Sequence, residues 1–464
     1  MKDTKFSCTF STLVVIAIYI SSAAWAQDGV PPYHNLRFEE DYSRYPSQGS
    51  DSFFDPIKKI ELSDSVWMSF GGEARARLEL WNNFGFSDAN DDVATFYRAF
   101  LHTDLHIGEH WRIFLEGRFS GVTGRELPGG RRDALDVDYG DIWNTFLEAN
   151  YDIGGIDTTV RLGRQELQYG KERLVSPLDW SNNRRIFEGG LVRLEGPDGA
   201  WTADFFLTSP VIIDRNAFNE HDDDHLFSGA YATRKFTDGR VAGVDVYALA
   251  LTSINDAAVN EDRYTLGGRV WGEIVENLSY DFEAAYQFGD LDAADIRAFM
   301  LAAELAYTFS DVHYTPWVGV GFDFASGDDD PTDGDVGTFN QLFPLGHAFL
   351  GYIDAVGRQN IIDLHVTVGA WPVEKTIRVQ ADIHQFWLAE DDDALYSAGG
   401  GILRAGTGSE TGVGTEVDLT VLWNANRHTS VLAGYSHFFA GDLIDQTGPS
   451  DDIDFFYTQI TFTF

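Results

Sequence analysis

Arginines that stand between apolar residues are the side chains in this sequence with the clearest chemical potential. Arg161 lies between Val160 and Leu162, and Arg193 repeats the pattern later in the chain. Because side chains alternate between the two faces of a strand, each arginine faces away from its apolar neighbours. A guanidinium group binds carboxylates through paired hydrogen bonds. These arginines therefore predict contact with an anionic ligand, or with acidic side chains, on the polar face of a sheet.

The same alternation recurs along most of the chain and predicts a large sheet. Between Ser69 and Trp81, charged residues occupy one face and alanine or leucine the other. Alternation alone also gives further arginines on polar faces, namely Arg98, Arg112, Arg118, Arg269 and Arg378. Taking every such run together, we expect about 18 strands, an even number as in bacterial outer-membrane barrels. They are placed near residues 69, 97, 111, 140, 158, 186, 200, 226, 242, 264, 278, 297, 314, 361, 376, 415, 429 and 455.

Composition favours a membrane barrel over a soluble all-β domain. The chain has 464 residues, 46 of them glycine, 14% aromatic residues and a formal charge of −40. One β-sandwich does not need so long a chain, whereas a barrel that is lined by water and surrounded by lipid does. No segment after the N-terminus is long and apolar enough for a transmembrane helix. We therefore predict an all-β protein, a transmembrane antiparallel up-and-down β-barrel.

Connection lengths and the chain end support the same fold. Connections after even-numbered strands include several tight turns, and those after odd-numbered strands are longer and polar. Outer-membrane barrels have short periplasmic turns and long extracellular loops. The last strand ends on Phe464, and its pairing with the first strand would remove the exposed edge that lipid does not tolerate. The long loops after Ser120 and Phe324 are expected to plug or gate the lumen.

The N-terminus predicts export from the cytoplasm. Residues 1–26 combine Lys2 and Lys5, an apolar run and Ala24-Trp25-Ala26, the pattern of a cleaved signal peptide. The one cysteine lies in this segment, so the mature chain is expected to have no disulfide and no thiolate metal site. Residues 27–66 are interpreted as a periplasmic lead-in and residues 67–464 as the barrel. The expected location is the bacterial outer membrane.

Acidic runs concentrate in the predicted loops and are usually solvated surfaces. Asp328, Asp330, Asp333 and Asp335 resemble a calcium loop, but their spacing and the missing terminal glutamate do not fit the EF-hand pattern. We therefore expect no metal or cofactor, with Ca²⁺ at the extracellular loops as the alternative.

Several segments resemble the alginate export family of outer-membrane porins. They are RLGRQEL at 161–167, RLVSP at 173–177, DWSNNRRIFEG at 179–189, GGEARAR at 71–77, RFEEDYS at 37–43, DPIK at 55–58 and FPLGHAFLG at 343–351. The resemblance implies a monomeric barrel with an arginine-lined lumen through which a polyuronate leaves the cell. Matching residue by residue, it gives the lumen residues Arg75, Arg77, Arg161, Arg164, Arg184, Arg185 and Arg193, with Glu73 and Glu188 beside them. Alternation places Arg164 on the face of Val160 unless it lies beyond the membrane.

Other interpretations remain open at this point. The arginines could merely pair with Glu73, Glu79, Glu116 and Glu188 and hold the barrel in shape. A substrate-specific porin for uptake of anionic oligosaccharides or small anions would use the same lumen. A barrel enzyme is less favoured, because neither Gly-x-Ser-x-Gly nor His-Glu-x-x-His occurs. The expected partners are an anionic polysaccharide, outer-membrane lipid and lipopolysaccharide, and periplasmic secretion or scaffold proteins, with no nucleic acid.

Overall fold

Eighteen long strands form the protein, as the alternation predicted. The computed structural model describes residues 31–45, 53–127, 133–237, 240–255, 259–407 and 409–464, so the predicted signal peptide at 1–26 lies outside the described residues. The strands are β1 (Val66–Asn82), β2 (Asp92–Ile107), β3 (Trp111–Thr123), β4 (Asp138–Asp152), β5 (Asp157–Gln165), β6 (Phe187–Glu195), β7 (Trp201–Ile212), β8 (His225–Lys235), β9 (Val241–Ser253), β10 (Glu261–Val275), β11 (Leu278–Leu291), β12 (Ala294–Thr308), β13 (Trp317–Ala325), β14 (Ile361–Val373), β15 (Ile377–Trp387), β16 (Gly412–Asn426), β17 (Thr429–Ala440) and β18 (Ile453–Thr463).

Smaller elements lie at the strand ends and in the loops. The short strands are Ile60–Ser63, Glu220–His221, Asp335–Val336, Leu395–Tyr396 and Ile402–Arg404. The helices are α1 (Asp133–Asp136) and α2 (Asp442–Thr447), and single 3₁₀ turns occur at Arg37–Glu39, Asp55–Ile57, Pro197–Gly199 and Gly346–Ala348. No helix among the described residues has the length and apolar character needed to cross a membrane.

The sheet closes on itself as an antiparallel barrel. Each long strand pairs with its neighbour in sequence, and β1 pairs with β18 from Glu73 opposite Thr463 to Asn82 opposite Asp454. Closure continues to the end of the chain, where the backbone N–H of Gly72 donates to the carbonyl oxygen of Phe464 at 2.9 Å. Closure leaves no open edge among the long strands, which is the condition for a sheet in lipid.

Alternation along the strands separates an apolar exterior from a polar lumen. On the outer face, Leu101, Leu162 and Leu207 are 63%, 59% and 58% exposed. On the inner face of β1, Arg75 and Arg77 are buried. Because successive side chains point to opposite faces of a strand, alternating polarity places apolar residues against lipid and polar residues in the lumen. The outer-membrane location follows from this fold.

Connections are mostly short at one end of the barrel and mostly long at the other, but the shortest connection at the long-loop end is an exception. The connection between β2 and β3 covers only residues 108–110, whereas that between β13 and β14 covers residues 326–360. The exception joins β11 and β12 at the long-loop end through residues 292–293 alone. Asp292 takes a positive φ of 53° there, a conformation that aspartate tolerates in tight turns. The prediction of a long connection after every odd strand is therefore wrong at this position.

Residues 166–186, the first inward loop, cross the lumen instead of leaving it. In the first half of the loop, Arg173 donates to three carboxylates on β11 and β12 at 2.7–3.0 Å. In the second half, the backbone oxygen of Asp179 accepts a hydrogen bond from Arg98 on β2 at 2.9 Å. The three carboxylates are Asp281, Glu283 and Glu304. Because β2 and β11 lie nine strands apart in a closed barrel of eighteen, the loop connects opposite walls.

Gly163 lies near the end of β5, where the chain leads into this loop. Gly163 has a φ of +135°, which side chains other than hydrogen rarely allow. A Cβ atom at this position would also lie 2.3 Å from the backbone oxygen of Thr145 on the neighbouring strand. Glycine in the RLGRQ motif is therefore required by local backbone geometry and by close strand packing.

Residues 326–360, the second inward loop, fill the lumen beside the first. The backbone N–H of Phe343 donates to the oxygen of Leu174 at 2.9 Å, and the N–H of Ile353 donates to Glu416 on β16 at 2.8 Å. The loop after Phe324 thus lies where the sequence predicted, and its gating stays a prediction.

The loop after β3 was also predicted to plug the lumen, and its described part contacts the first inward loop. Asn183 Nδ2 donates to the backbone oxygen of Val137 at 2.9 Å. Residues 128–132 of this loop lie outside the described residues. Its role in plugging or gating stays a prediction.

The predicted lead-in enters the barrel at the short-turn end. Its described residues, 31–45 and 53–63, are called here the N-terminal segment. Phe38 contacts the inward-facing ring of Phe114, with ring centroids 5.9 Å apart. Arg37 donates to the backbone oxygen of Phe464 at 3.0 Å, beside the seam between β1 and β18. The segment therefore occupies the periplasmic part of the lumen.

Candidate functional site

Most of the predicted lumen residues face the interior of the barrel. Nine arginines and one glutamate project inward from strands: Arg75, Arg77 and Glu73 on β1, Arg98 on β2, Arg112 and Arg118 on β3, Arg161 on β5, Arg193 on β6, Arg269 on β10 and Arg378 on β15. Two more, Arg184 and Arg185, belong to the first inward loop. The structure thus brings together residues that are distant in sequence around one lumen.

Arg164 and Glu188 lie outside the lumen, which corrects their predicted place in the conduit. Arg164 shares the outward face of β5 with Leu162, because the two are two positions apart in the strand. Its Nε atom lies 2.7 Å from Glu188 Oε2, and it also donates to the backbone oxygen of Asn219 in the loop after β7. The two residues therefore form an outer ion pair at the long-loop end.

Carboxylates neutralise most of the inward arginines. Arg161 Nη2 lies 2.7 Å from Glu148 Oε2, and Arg193 Nη2 lies 2.8 Å from Asp204 Oδ2. Further pairs are Arg77 with Glu79, Arg98 with Glu73, Arg112 with Asp104, Arg118 with Asp138, Arg184 with Glu166 and Arg269 with Asp281. This pairing supports the structural interpretation of these residues, because a buried charge that loses its partner destabilises the fold.

Three arginines differ from this pattern. Across the described part of the chain, no carboxylate oxygen lies within ion-pair distance of Arg75, Arg185 or Arg378. Arg75 donates to the backbone oxygens of Asp179 and Ser181 at 2.7 and 2.9 Å, and its Nε atom is buried without a partner. Carbonyl oxygens carry only partial charge, so the guanidinium groups retain most of their positive field.

Arg75 and Arg378 line the same cavity of about 80 Å³ inside the barrel. The first inward loop contributes Trp180 and Glu172, and the second contributes His347 and Tyr352. The remaining lining residues are Asn35 of the N-terminal segment, Asp179, Leu345, Ala348, Thr420, Leu432 and Gln459. This lumen cavity is the candidate functional site, where both inward loops, the N-terminal segment and the barrel wall meet.

Aromatic stacking fixes the position of Trp180 in the lumen cavity. Its ring stacks on the imidazole of His347, with centroids 3.8 Å apart and planes at 11°. The guanidinium carbon of Arg77 lies 3.9 Å from the same ring on an approach typical of a cation–π contact. A ring that is held between two neighbours keeps its orientation, and therefore offers a defined edge to the cavity.

The acids of the lumen cavity differ in their ionisation. Burial raises the pKa of Glu172 to about 8, although Ser176 Oγ donates to its carboxyl group at 2.6 Å. Burial also opposes ionisation of Asp179, but the charges of Arg98 and Arg184 hold its pKa below the usual range. At neutral pH the cavity therefore contains a protonated Glu172 and an ionised Asp179, and the two arginines outweigh the single negative charge.

This arrangement suits a sugar acid. A guanidinium group pairs with a carboxylate through two hydrogen bonds, and the edge of Trp180 together with the Tyr352 ring adds apolar surface for the C–H groups of a sugar. Sequence reasoning identified the two arginines but missed Trp180, His347 and Tyr352. Trp180 and His347 stand inside the segments that resemble the family, but neither charge nor alternation marked them. No feature of the sequence predicted that Asn35 would line the cavity.

The predicted calcium loop lies at the long-loop end. Asp335 pairs with Arg297 at 2.7 Å, and Asp330 accepts hydrogen bonds from Thr332. No three of the four predicted carboxylates place ligand oxygens within 4.8 Å of one another. A calcium ion at this loop stays a prediction that the geometry does not strengthen.

Solved structures with the same fold come from Pseudomonas aeruginosa, and one of them, OpdK, is described as an outer-membrane protein. OpdO matches with a TM-score of 0.59 at 11% identity, covering 86% of this chain and 97% of that chain. OpdQ matches with a TM-score of 0.55 at 13% identity, covering 87% and 99%. OpdK, solved with vanillate, matches with a TM-score of 0.55 at 11% identity, covering 85% and 98%. At such low identity, the likeness shows the fold alone.

The sequence comparisons identify the family. No curated protein sequence matches the chain significantly. The sequence profile described as alginate export matches residues 66–457, which covers almost the whole barrel. An export family agrees with the closed barrel and its polar lumen. The chain is therefore an outer-membrane channel that belongs to the alginate export family.

Proposed function

We propose that this channel exports an anionic polysaccharide, a polyuronate of the alginate type, through its lumen. The observation that carries the proposal is the lumen cavity, in which Arg75 and Arg378 lack carboxylate partners among the described residues and share the lining with Trp180 and Tyr352. Each sugar of a polyuronate brings one carboxylate and one ring, which are the two groups that this lining suits.

Passage of a polymer requires the inward loops to move. The lumen cavity has a volume of about 80 Å³, whereas sites for small ligands commonly enclose roughly 300–1,000 Å³. Hydrogen bonds and ion pairs hold the first inward loop, among them those of Arg173. Such contacts can break and re-form without unfolding the barrel. The described structure is therefore proposed to be the closed state of the channel.

A second candidate function is uptake of anionic oligosaccharides or small anions. The small cavity favours it, and so does the fold shared with OpdK, which was solved with vanillate. A diffusion pathway has no intrinsic direction, so periplasmic secretion or scaffold proteins at the short-turn end would supply the direction of export. We further propose a monomer without enzymatic activity, surrounded by outer-membrane lipid and lipopolysaccharide.

Flux from liposomes tests the proposal. Liposomes that contain the refolded protein are loaded with fluorescent polyuronate or with neutral dextran of the same size. We expect faster release of the polyuronate, and at least about tenfold slower release through Arg75→Gln/Arg378→Gln, the effect of losing one charge-assisted hydrogen bond. Arg297→Gln, which removes an exposed arginine outside the lumen, is the matched control.

The outcomes separate the two functions. Equal release of both polymers, or release that is insensitive to the double variant, would exclude the arginine conduit. Retention of the polymer together with rapid release of a uronate monosaccharide would favour the uptake function.

A further inference from the structure

We propose that the lumen wall binds one divalent transition-metal ion of the zinc class at Asp363, His365 and His384. The first two residues project inward from β14, and His384 projects inward from β15, where it stands opposite His365 in the register. Nothing in the alternation marked these positions, because polar inward residues occur on every strand. The proposal is independent of the substrate that the channel carries.

The three side chains already converge on one point. Asp363 Oδ2 lies 2.7 Å from His365 Nδ1 and 3.0 Å from His384 Nδ1. One ligand atom from each residue lies within 4.8 Å of the other two. Zinc binds imidazole nitrogen and carboxylate oxygen at roughly 2.0–2.2 Å, so an ion needs only a small outward shift of these atoms.

The position of His365 shows which of its nitrogens is available. A Cβ atom added at Gly321 on β13 would lie 2.0 Å from His365 Nε2, so this nitrogen rests against the backbone of the neighbouring strand. Nδ1 is therefore the nitrogen that faces Asp363. The contact with Gly321 also holds the imidazole ring in place, as metal sites require of their ligands.

Asp363 has an unused oxygen at the same point. The residue is fully buried, and its Oδ1 atom has no hydrogen-bond partner in the described structure. A buried carboxylate oxygen without a partner is costly, and a bound cation would satisfy it. A separate cavity of about 20 Å³ is lined by both His365 and His384, which is enough room for a water molecule.

The surrounding charges favour a cation. Asp323 Oδ2 lies 4.0 Å from His365 Nδ1, but Arg358 already neutralises this carboxylate. On β16, the neighbour of β15, Asp418 is buried and neither of its carboxylate oxygens has a hydrogen-bond partner in the described structure. Carboxyl groups therefore adjoin the three ligand residues on both neighbouring strands, β13 and β16.

The donor set selects the class of metal. Two imidazoles and one carboxylate suit zinc, copper or nickel, whereas calcium and magnesium prefer oxygen ligands alone. Three protein ligands also leave a fourth position for water or for a group on a passing ligand. An ion bound here would connect β14 to β15 and place a positive charge beside the second inward loop.

Metal titration of the full chain tests the proposal. The protein is refolded in detergent without a histidine tag, freed of metal, and titrated with Co²⁺ while its visible absorption is recorded, and with Zn²⁺ by calorimetry. We expect one equivalent of each ion and a tetrahedral Co²⁺ spectrum. Metal affinity should fall at least about tenfold in His365→Gln and in His384→Gln. Mutation of residues that only support a metal ligand already lowers affinity by about that factor.

His437→Gln is the matched control, because His437 also pairs with an aspartate, Asp454 at 2.8 Å, but has no second histidine beside it. Its affinity for both ions should equal that of the wild type. Lack of stoichiometric binding by the wild type would overturn the proposal, even if a variant failed to fold. Binding that persists unchanged in both histidine variants would overturn it too, because the ion would then lie elsewhere.

Discussion

Single arginines in the lumen differ in whether a carboxylate reaches them, and this difference divides their roles. Arg118 has a fully buried side chain, pairs with Asp138, and lies 3.7 Å from the ring of Trp143. Arg75 and Arg378 have no such partner among the described residues. We therefore propose that the paired arginines stabilise the barrel and that the unpaired ones contact the ligand.

The first prediction concerns a paired arginine. Arg118→Met keeps the length of the side chain but leaves Asp138 buried without its cation. We expect the free energy of unfolding to fall by about 3–5 kcal/mol. Denaturant unfolding in detergent measures the change. In Arg297→Met, which removes an exposed ion pair, the loss should stay below about 1 kcal/mol; equal effects in both variants would contradict the assignment.

Alternation predicted which arginines face the lumen but could not predict which are paired. The face follows from backbone geometry alone, so the inward position of Arg161 was readable from two neighbours. Pairing depends on side chains from other strands and loops, such as Glu148 for Arg161. The family resemblance placed Arg164 in the lumen, whereas the alternation of side chains along β5 placed it on the outer face. The structure agrees with the alternation.

Among the elements, the first inward loop governs how open the lumen is. Its Arg173 binds Asp281, Glu283 and Glu304 on the far wall. The second prediction is that Arg173→Gln releases the loop, raises single-channel conductance and increases preference for cations. Among the described residues Glu283 loses its only cationic partner, whereas Asp281 and Glu304 keep Arg269 and Lys171. Arg297→Gln should leave both quantities unchanged. Conductance in Arg173→Gln equal to that of the wild type would show that the loop does not limit the current.

The N-terminal segment contains a buried lysine that makes its docking depend on pH. Lys58 Nζ donates to the backbone oxygen of Phe70 at 3.0 Å, and burial lowers its pKa to about 7, despite the nearby carboxylates of Glu40 and Asp55. In the released segment its pKa returns to 10.5. Tyr33, whose pKa burial raises to about 12, stays neutral between these values.

The third prediction follows from these two pKa values of Lys58. Below pH 7 the lysine is charged in both states, so its effect on docking does not change with pH. Between pH 7 and 10.5 the released state binds the extra proton, so docking strengthens as pH rises, by up to about tenfold per pH unit. Hydrogen exchange of residues 31–45 at pH 7 and pH 9 measures docking. Lys58→Met, compared at the same pH values, should lack the additional protection; an identical change in both proteins would contradict the linkage.

Strands were far more predictable than loops. Strands expected near residues 111 and 361 begin at Trp111 and Ile361, because alternating polarity in the sequence indicates which side of a strand faces lipid. Loop sequences contain no such pattern. The inward course of residues 166–186 depends on contacts with walls that are distant in sequence, and the two-residue turn between β11 and β12 depends on one positive φ angle.

Considered as a whole, the barrel separates two charge distributions that the net charge of −40 conceals. Acidic runs such as Asp328 to Asp335 lie in loops at the long-loop end, whereas the lumen cavity presents two unpaired arginines. A negative outer mouth would discourage return of an exported polyanion, and a positive site in the lumen would attract it. The account therefore depends on the lumen cavity and not on the overall charge.

Single-channel current in a planar bilayer tests this central claim most directly. The refolded wild type, Arg75→Gln/Arg378→Gln and the control Arg297→Gln are compared in asymmetric salt, with polyuronate added as a blocker. We predict anion preference and polyuronate block in the wild type and the control, with block at least about tenfold weaker in the double variant. A pore without ion preference, or one that polyuronate blocks equally in all three proteins, would contradict the account.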